Sequence, residues 1–329
     1  MTAPVALAEL WRGGMLESTH LGHAVICGAG GEIEAAWGDP SAVIFPRSSC
    51  KMLQALPLME SGAGAGLTDQ QVALACASHQ GAALHTDMVA RWLADLGMSE
   101  SDLRCGSHDP NDREERDRLI RASEKPCQLH NNCSGKHAGF LTMNRHLKGD
   151  AEYVDPAHPL QTAIRTAFEE VTEEPSPGFG IDGCSAPNFA TSVHGLARAM
   201  ASFATAREDG GARARAAHRL TRAMATHPEL VAGEGRACTE LMRAMDGRVA
   251  IKTGAEAVFV AILPEQKKGI ALKVTDGGTR GAEAAICALL VKLGALDPDH
   301  PATLKRLNAV QKNWRGIETG IVRAAPGFG

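Results

Sequence analysis

Arg248-Val-Ala-Ile-Lys252, Ala257-Val-Phe-Val-Ala-Ile-Leu263 and Gly269-Ile-Ala-Leu-Lys-Val-Thr275 are three short apolar runs rich in β-branched residues. Thr253-Gly-Ala-Glu256 and Pro264-Glu-Gln-Lys-Lys268 separate them with turn residues. Runs of this length between such breaks read as the strands of an antiparallel meander. A strand pair reads at the other end of the chain, where His23-Ala-Val-Ile-Cys27 and Glu32-Ile-Glu-Ala-Ala-Trp37 flank Gly28-Ala-Gly-Gly31, a hairpin signal. The simplest cover for these five strands is one sheet built from both chain ends.

The middle of the chain has helical spacing instead. Thr68-Asp-Gln-Gln71 is a capping box before Val72-Ala-Leu-Ala-Cys76, and a periodic run from Leu84 to Leu96 stops at Gly97. Further helices are predicted around 134–147, 159–173, 186–206, 212–226 and 236–245, and after the meander over 281–294 and 302–309. No repeat or low-complexity linker divides the chain. The expected architecture is α+β: an antiparallel sheet from both chain ends with an inserted helical lobe. That makes a single catalytic domain over 1–329, with a sheet lobe at about 1–45 plus 246–329 and a helical lobe at about 46–245.

Composition narrows the function classes. Of 329 residues 44% are hydrophobic but only 4% aromatic, with Tyr153 the single tyrosine, so alanine, leucine and valine must fill the core. The net charge is −4 and the 34 basic residues form no run, which argues against nucleic acid or an anionic membrane surface as partner. No signal peptide and no apolar stretch of about 18 residues is read, so the expected location is cytoplasmic, with no membrane partner. Nine cysteines without a Cys-x-x-Cys pair then read as reduced thiols, most of them buried packing residues.

Two stretches carry chemistry. In Phe45-Pro-Arg-Ser48-Ser-Cys-Lys51, a serine and a lysine three apart share one side of a helix, with Pro46 just before its expected start. Ser48 in a first helical turn would have free N–H groups and the positive end of the helix dipole for an oxyanion. Such a turn suits a serine nucleophile with a lysine base. The second stretch is Lys252-Thr253-Gly254 at the end of a predicted strand; serine acyl-transferases of the penicillin-binding fold set such a strand beside the Ser-x-x-Lys helix. Two other motifs fail on context. Gly62-x-Gly64-x-Gly66 lacks the strand and spacing of a dinucleotide loop, and Asn132-Cys-Ser134 is a glycosylation acceptor only in an exported chain.

The segments His130-Asn-Asn132-Cys133-Ser-Gly-Lys136-His137, Ile181-Asp182-Gly-Cys184-Ser-Ala-Pro187, Ser78-His79 and Lys252-Thr-Gly-Ala-Glu256 together resemble the Rhizobium etli type of L-asparaginase. Trp11-Arg-Gly-Gly14, Glu17-Ser-x-His20 and Gly38-Asp-Pro40 are similar to it too, so the resemblance runs from about residue 10 to Arg323. It implies a serine β-lactamase-like fold and hydrolysis of L-asparagine to L-aspartate and ammonia through an acyl-enzyme. It implies two Ser–Lys tandems, Ser48 with Lys51 and Ser78 with Lys252. It also implies a zinc held by Cys133, Lys136 and Cys184, substrate-side roles for Arg47, Asn132, His137 and Asp182, and a homodimer. Ala257 departs from it, because glycine usually follows Gly-Ala-Glu there.

Each piece also has a plainer reading. Ser78 ends a predicted helix and taken alone is a polar C-terminal residue. Cys133 and Cys184 taken alone are buried thiols, and lysine is a rare zinc ligand because it must first lose a proton. A lysine base must likewise be neutral, a form that burial and neighbouring cations favour, which gives clustered lysines a physical purpose. Rival functions are a glutaminase or a β-lactam or peptide acyl-transferase of the same fold, or a non-catalytic zinc-stabilised protein.

Overall fold

The computed structural model describes residues 2–329. Its main sheet is antiparallel throughout, in the order Ala309–Lys312, Glu318–Ala324, Val5–Arg12, Met15–Cys27, Lys268–Val274, Val258–Leu263, Ala250–Gly254, with Ile33–Trp37 also paired to Met15–Cys27. The expected α+β arrangement, a sheet from both chain ends with helices between, is therefore the one found. The meander holds in register, Lys252 opposite Val260 and Leu272 opposite Phe259. The sheet has more strands than the five read from sequence. Val5–Arg12 is added because both its faces are covered: Leu7, Ala8, Glu9 and Leu10 are all buried, so it shows no polar alternation.

The chain folds into two compact units. The first comprises Met1–Ser49, Thr191–Thr205 and Glu240–Gly329 and carries the sheet. Within it, the helix Val193–Ala204 lies on the strands, capped at its start by the Ser192 side chain accepting from the Gly195 N–H. Small residues set the spacing there. A Cβ on Gly269 would fall 2.2 Å from the Ala201 nitrogen and 2.3 Å from the Ala197 oxygen, so only glycine permits that approach of strand to helix. An aromatic-poor, alanine-rich chain reaches a dense core in this way.

The second unit comprises Cys50–Ala190 and Ala206–Thr239 and is mainly helical. Its principal helices are Asp69–Ala75, Ala83–Asp95, Arg113–Ala122, Ser134–Leu147, Pro159–Thr172 and Ala212–Thr226. The capping box at Thr68 is present, with Gln71 N–H bonded to the Thr68 hydroxyl and Thr68 N–H to the Gln71 side chain. Three readings need correction. Residues 187–192 form two short strands before helix Val193–Ala204, where 186–206 read as one helix. The predicted helix 302–309 is one turn, Pro301–Leu304, followed by a strand from Ala309. The expected helix at Ser48 is a 3-10 turn, Arg47–Cys50, leading into only Lys51–Gln54, so a helix dipole contributes little there.

Candidate active site

Five of the singled-out residues meet inside the helical unit. Lys51 is 1% exposed, and its amine donates to the Ala77 carbonyl, to the Asn132 carbonyl at 3.5 Å and to the Cys133 sulfur at 3.0 Å. The Lys136 amine lies 3.0 Å from the Cys184 sulfur. Cys133 and Cys184 also hydrogen-bond to each other. Two amines and two thiols thus form one buried cluster.

Local structure explains how they arrive. Asn131 holds the turn before helix Ser134–Leu147: its side-chain oxygen accepts the Cys133 N–H, and its amide nitrogen donates to the Cys105 and Gly106 carbonyls. Cys133 and Lys136, three apart, then share a face of that helix. Cys184 comes from the loop of a small hairpin, where Ile181 pairs with Pro187. Within the loop the Asp182 N–H bonds the Ala186 carbonyl and Ser185 is left-handed. The Asp182 carboxylate accepts the Gly183 N–H and lies within electrostatic reach of Lys136.

The charges sort themselves. The Cys184 sulfur is held well below the usual thiol range, first by its hydrogen bond from Cys133 and then by the neighbouring Lys136 and Lys51 amines, which together outweigh burial. Cys133 is pushed up to about 12 by the same hydrogen bond and by burial. Burial opposes the ammonium form of Lys136, but the two sulfurs and Asp182 outweigh it and leave its amine above the ordinary lysine range.

This donor set fits a soft or borderline divalent ion. Two sulfurs and an amine already converge, and proton loss from Cys133 and Lys136 would complete three ligands. No group of three or more His, Cys, Asp or Glu side chains suited to a metal occurs among the described residues.

Ser78 lies just past helix Asp69–Ala75, its N–H bonded to the Val231 carbonyl at 2.9 Å. Its hydroxyl is buried without a hydrogen-bond partner among the described residues. The carbonyl just before it, on Ala77, is the one that receives the Lys51 amine. His79, after it, entered from sequence only as part of the Ser78-His79 segment, without a role, yet it ties this turn to the cysteine turn. Its N–H bonds the Asn132 carbonyl at 3.2 Å, and its Nε2 lies 2.9 Å from the Ser134 hydroxyl. That hydroxyl donates to the Leu129 carbonyl, so His79 Nε2 donates and its Nδ1 accepts the Gly81 N–H. Burial, and then the neighbouring His85 and Lys51, hold His79 well below the usual histidine range. His108 accepts the Asn132 N–H at 2.9 Å. His137 is fully buried, with Nδ1 2.9 Å from the Tyr153 hydroxyl.

The sheet unit holds the other candidates. Arg47 is left-handed at φ 53°, a strained conformation for a residue with a side chain, immediately before half-buried Ser48. The turn is closed by the Ser49 N–H and hydroxyl, both donating to the Pro46 carbonyl. Lys252 is 1% exposed on the strand Ala250–Gly254, its amine donating to the Thr253 carbonyl at 2.8 Å. A Cβ on Gly254 would lie 2.5 Å from the Pro46 oxygen and 3.0 Å from the Ser49 nitrogen, so the Lys-Thr-Gly strand packs directly against the turn carrying Ser48. Ala257 is left-handed at φ 58°, which explains why glycine suits that position.

The chain belongs to the L-asparaginase II family, whose sequence profile it matches over residues 8–324. A search among curated proteins finds no match. Solved structures similar to this chain include Mglu in its glutamate form, at 13% identity and TM-score 0.49, covering 85% of this chain and 62% of that one. Another is a beta-lactamase from Mycobacterium bovis, at 14% identity and TM-score 0.47, covering 82% and 94%. The chain thus spans 62% of the length of Mglu. No helix among the described residues is long and apolar enough to cross a membrane.

Proposed function

We propose that this chain is an L-asparaginase of the Rhizobium etli type, hydrolysing the side-chain amide of L-asparagine through a serine acyl-enzyme. The observation that carries this reading is the Lys51 amine, buried between the carbonyl that precedes Ser78 and the sulfur of Cys133. A surface lysine of a chance Ser-x-x-Lys match would instead be solvated.

In the proposed sequence, the Ser48 hydroxyl attacks the side-chain amide carbon and Lys51 takes its proton. The proton passes to the leaving nitrogen, ammonia departs, and a β-aspartyl ester remains on Ser48. Water then attacks the ester and aspartate leaves. Ser78 and Lys252 act as a second hydroxyl–amine pair that relays protons or orients the amide. Arg47 and Asn132 contact the substrate. Cys133, Lys136 and Cys184 would hold zinc, which when bound supplies a cation for the substrate's polar ends. A homodimer belongs to the same proposal, and sedimentation as a monomer would remove it.

Ammonia release from L-asparagine and L-glutamine tests the reading. Asparagine should be preferred; one methylene separates the substrates, worth about 1–3 kcal/mol. Preference for glutamine makes the chain a glutaminase, and release from neither removes the proposal. Ser48→Ala should abolish turnover, whereas retained activity moves the nucleophile to Ser78.

A further inference from the structure

The Lys51 amine rests on two backbone carbonyls, those of Ala77 and Asn132, and on the sulfur of Cys133. The two carbonyls belong to separate stretches of chain. Ala77 lies in the irregular turn between helices Asp69–Ala75 and Ala83–Asp95, and Asn132 in the turn that opens helix Ser134–Leu147. A base is only as well placed as the groups that hold it, so the spacing of these turns sets where the amine stands.

His79 bridges them. Its backbone N–H donates to the Asn132 carbonyl, the same oxygen that receives the Lys51 amine. Its ring donates from Nε2 to the Ser134 hydroxyl at 2.9 Å, and at Nδ1 it accepts the N–H of Gly81 in its own turn. Backbone meets backbone closely there: Gly81 is left-handed at φ 74°, and a Cβ on it would lie 2.8 Å from the His130 carbonyl oxygen. The ring also stacks on His85 at 4.7 Å with 9° between the planes, and the His85 Nε2 is held by the Glu229 carbonyl. His79 is 0% exposed, and burial keeps it neutral. A ring whose hydrogen and lone pair are both engaged, with no face to solvent, neither carries a proton nor touches substrate. Its bonds serve placement.

We propose that His79 is a positioning residue for Lys51: its bond to Ser134 locks the two turns together, so that the Ala77 and Asn132 carbonyls hold the amine in the place its role as base requires. The inference rests on the serine–lysine reading above.

Side-chain length separates the two ring bonds. In His79→Gln the amide nitrogen reaches the place of Nε2 and still donates to Ser134. In His79→Asn the shorter amide reaches only the place of Nδ1, and the tie to Ser134 is lost. For ammonia release from asparagine, kcat of His79→Asn should fall about tenfold to a hundredfold with KM within about threefold, the pattern of a displaced base, while His79→Gln stays within about threefold of wild type. Ser134→Ala removes the acceptor and should lower kcat as His79→Asn does, and the two together should cost little more than either alone. Equal kcat in the Asn and Gln variants, or additive losses in the double variant, overturns the proposal. Crystal structures give a readout without turnover: in His79→Asn the Lys51 amine should leave the Ala77 or the Asn132 carbonyl, and an unmoved amine overturns the proposal. A wild-type protein that releases no ammonia from asparagine or glutamine marks failure of the assigned reaction; the displaced amine would still uphold the histidine tie.

Discussion

Replacing Gly254 by alanine puts a methyl group where the structure has backbone. The new Cβ would stand 2.5 Å from the Pro46 carbonyl oxygen, about 0.9 Å inside an ordinary contact, and 3.0 Å from the Ser49 nitrogen. Neither atom is the flexible end of a side chain. Two hydrogen bonds converge on the Pro46 oxygen from Ser49, so the turn moves as a unit and carries Ser48 with it. Overpacking of this kind costs about 1–3 kcal/mol, which lowers Tm by roughly 2–10 °C. A displacement of about 1 Å at a nucleophile can cost on the order of 10²-fold in rate. Calorimetry and initial rates of ammonia release should therefore both respond, with kcat falling more than KM rises. A Gly254→Ala protein with wild-type Tm and kcat within about twofold would refute the contact between the Lys-Thr-Gly strand and the serine turn.

Ala257→Gly should raise stability by about 1 kcal/mol and leave kcat unchanged, because alanine pays for the left-handed conformation that glycine adopts freely; chemical denaturation would show it, and an unchanged midpoint would contradict it. Zinc affinity should strengthen as pH rises, because Cys133 and Lys136 hold their protons in the metal-free cluster and must release them on binding, whereas Cys184 is already a thiolate; chelator competition between about pH 6.5 and 8.5 measures it, and a pH-independent affinity would contradict it. His79 and His137 are buried neutral, so the unfolded chain binds those protons more readily. Their stability is complete above the unfolded histidine pKa of about 6.5 and lost as pH falls through and below it, by up to about 1.4 kcal/mol per pH unit per residue; a Tm that is flat from pH 7 to 5 would count against this.

Much of the architecture was legible because the central strands are short apolar runs bounded by turn residues, and because the longer helices carry apolar stripes. The unread elements lack those signals. Val5–Arg12 is buried on both faces and does not alternate. Helix Arg113–Ala122 is nearly all charged, with only Glu115 and Leu119 buried, so no stripe marks it. Residues 187–192 read as helix because their apolar content merges with the helix that follows. The site residues were named by motif resemblance, which states identity and not contact. That the Lys136 amine reaches Cys184, 48 positions along the chain, is a tertiary fact with no local trace. The contributions of His79, His108 and Tyr153 were invisible for the same reason: each acts through hydrogen bonds to groups far along the chain. The Ala257 departure was the exception, a local conformational demand that a single residue type betrays.

A covalent ester on Ser48 can be sought by mass spectrometry of protein quenched during turnover of asparagine. The expected result is a β-aspartyl adduct on the peptide containing Ser48, absent from Ser48→Ala. An adduct on Ser78, or steady turnover with no adduct on either serine under conditions that trap esters, would contradict it.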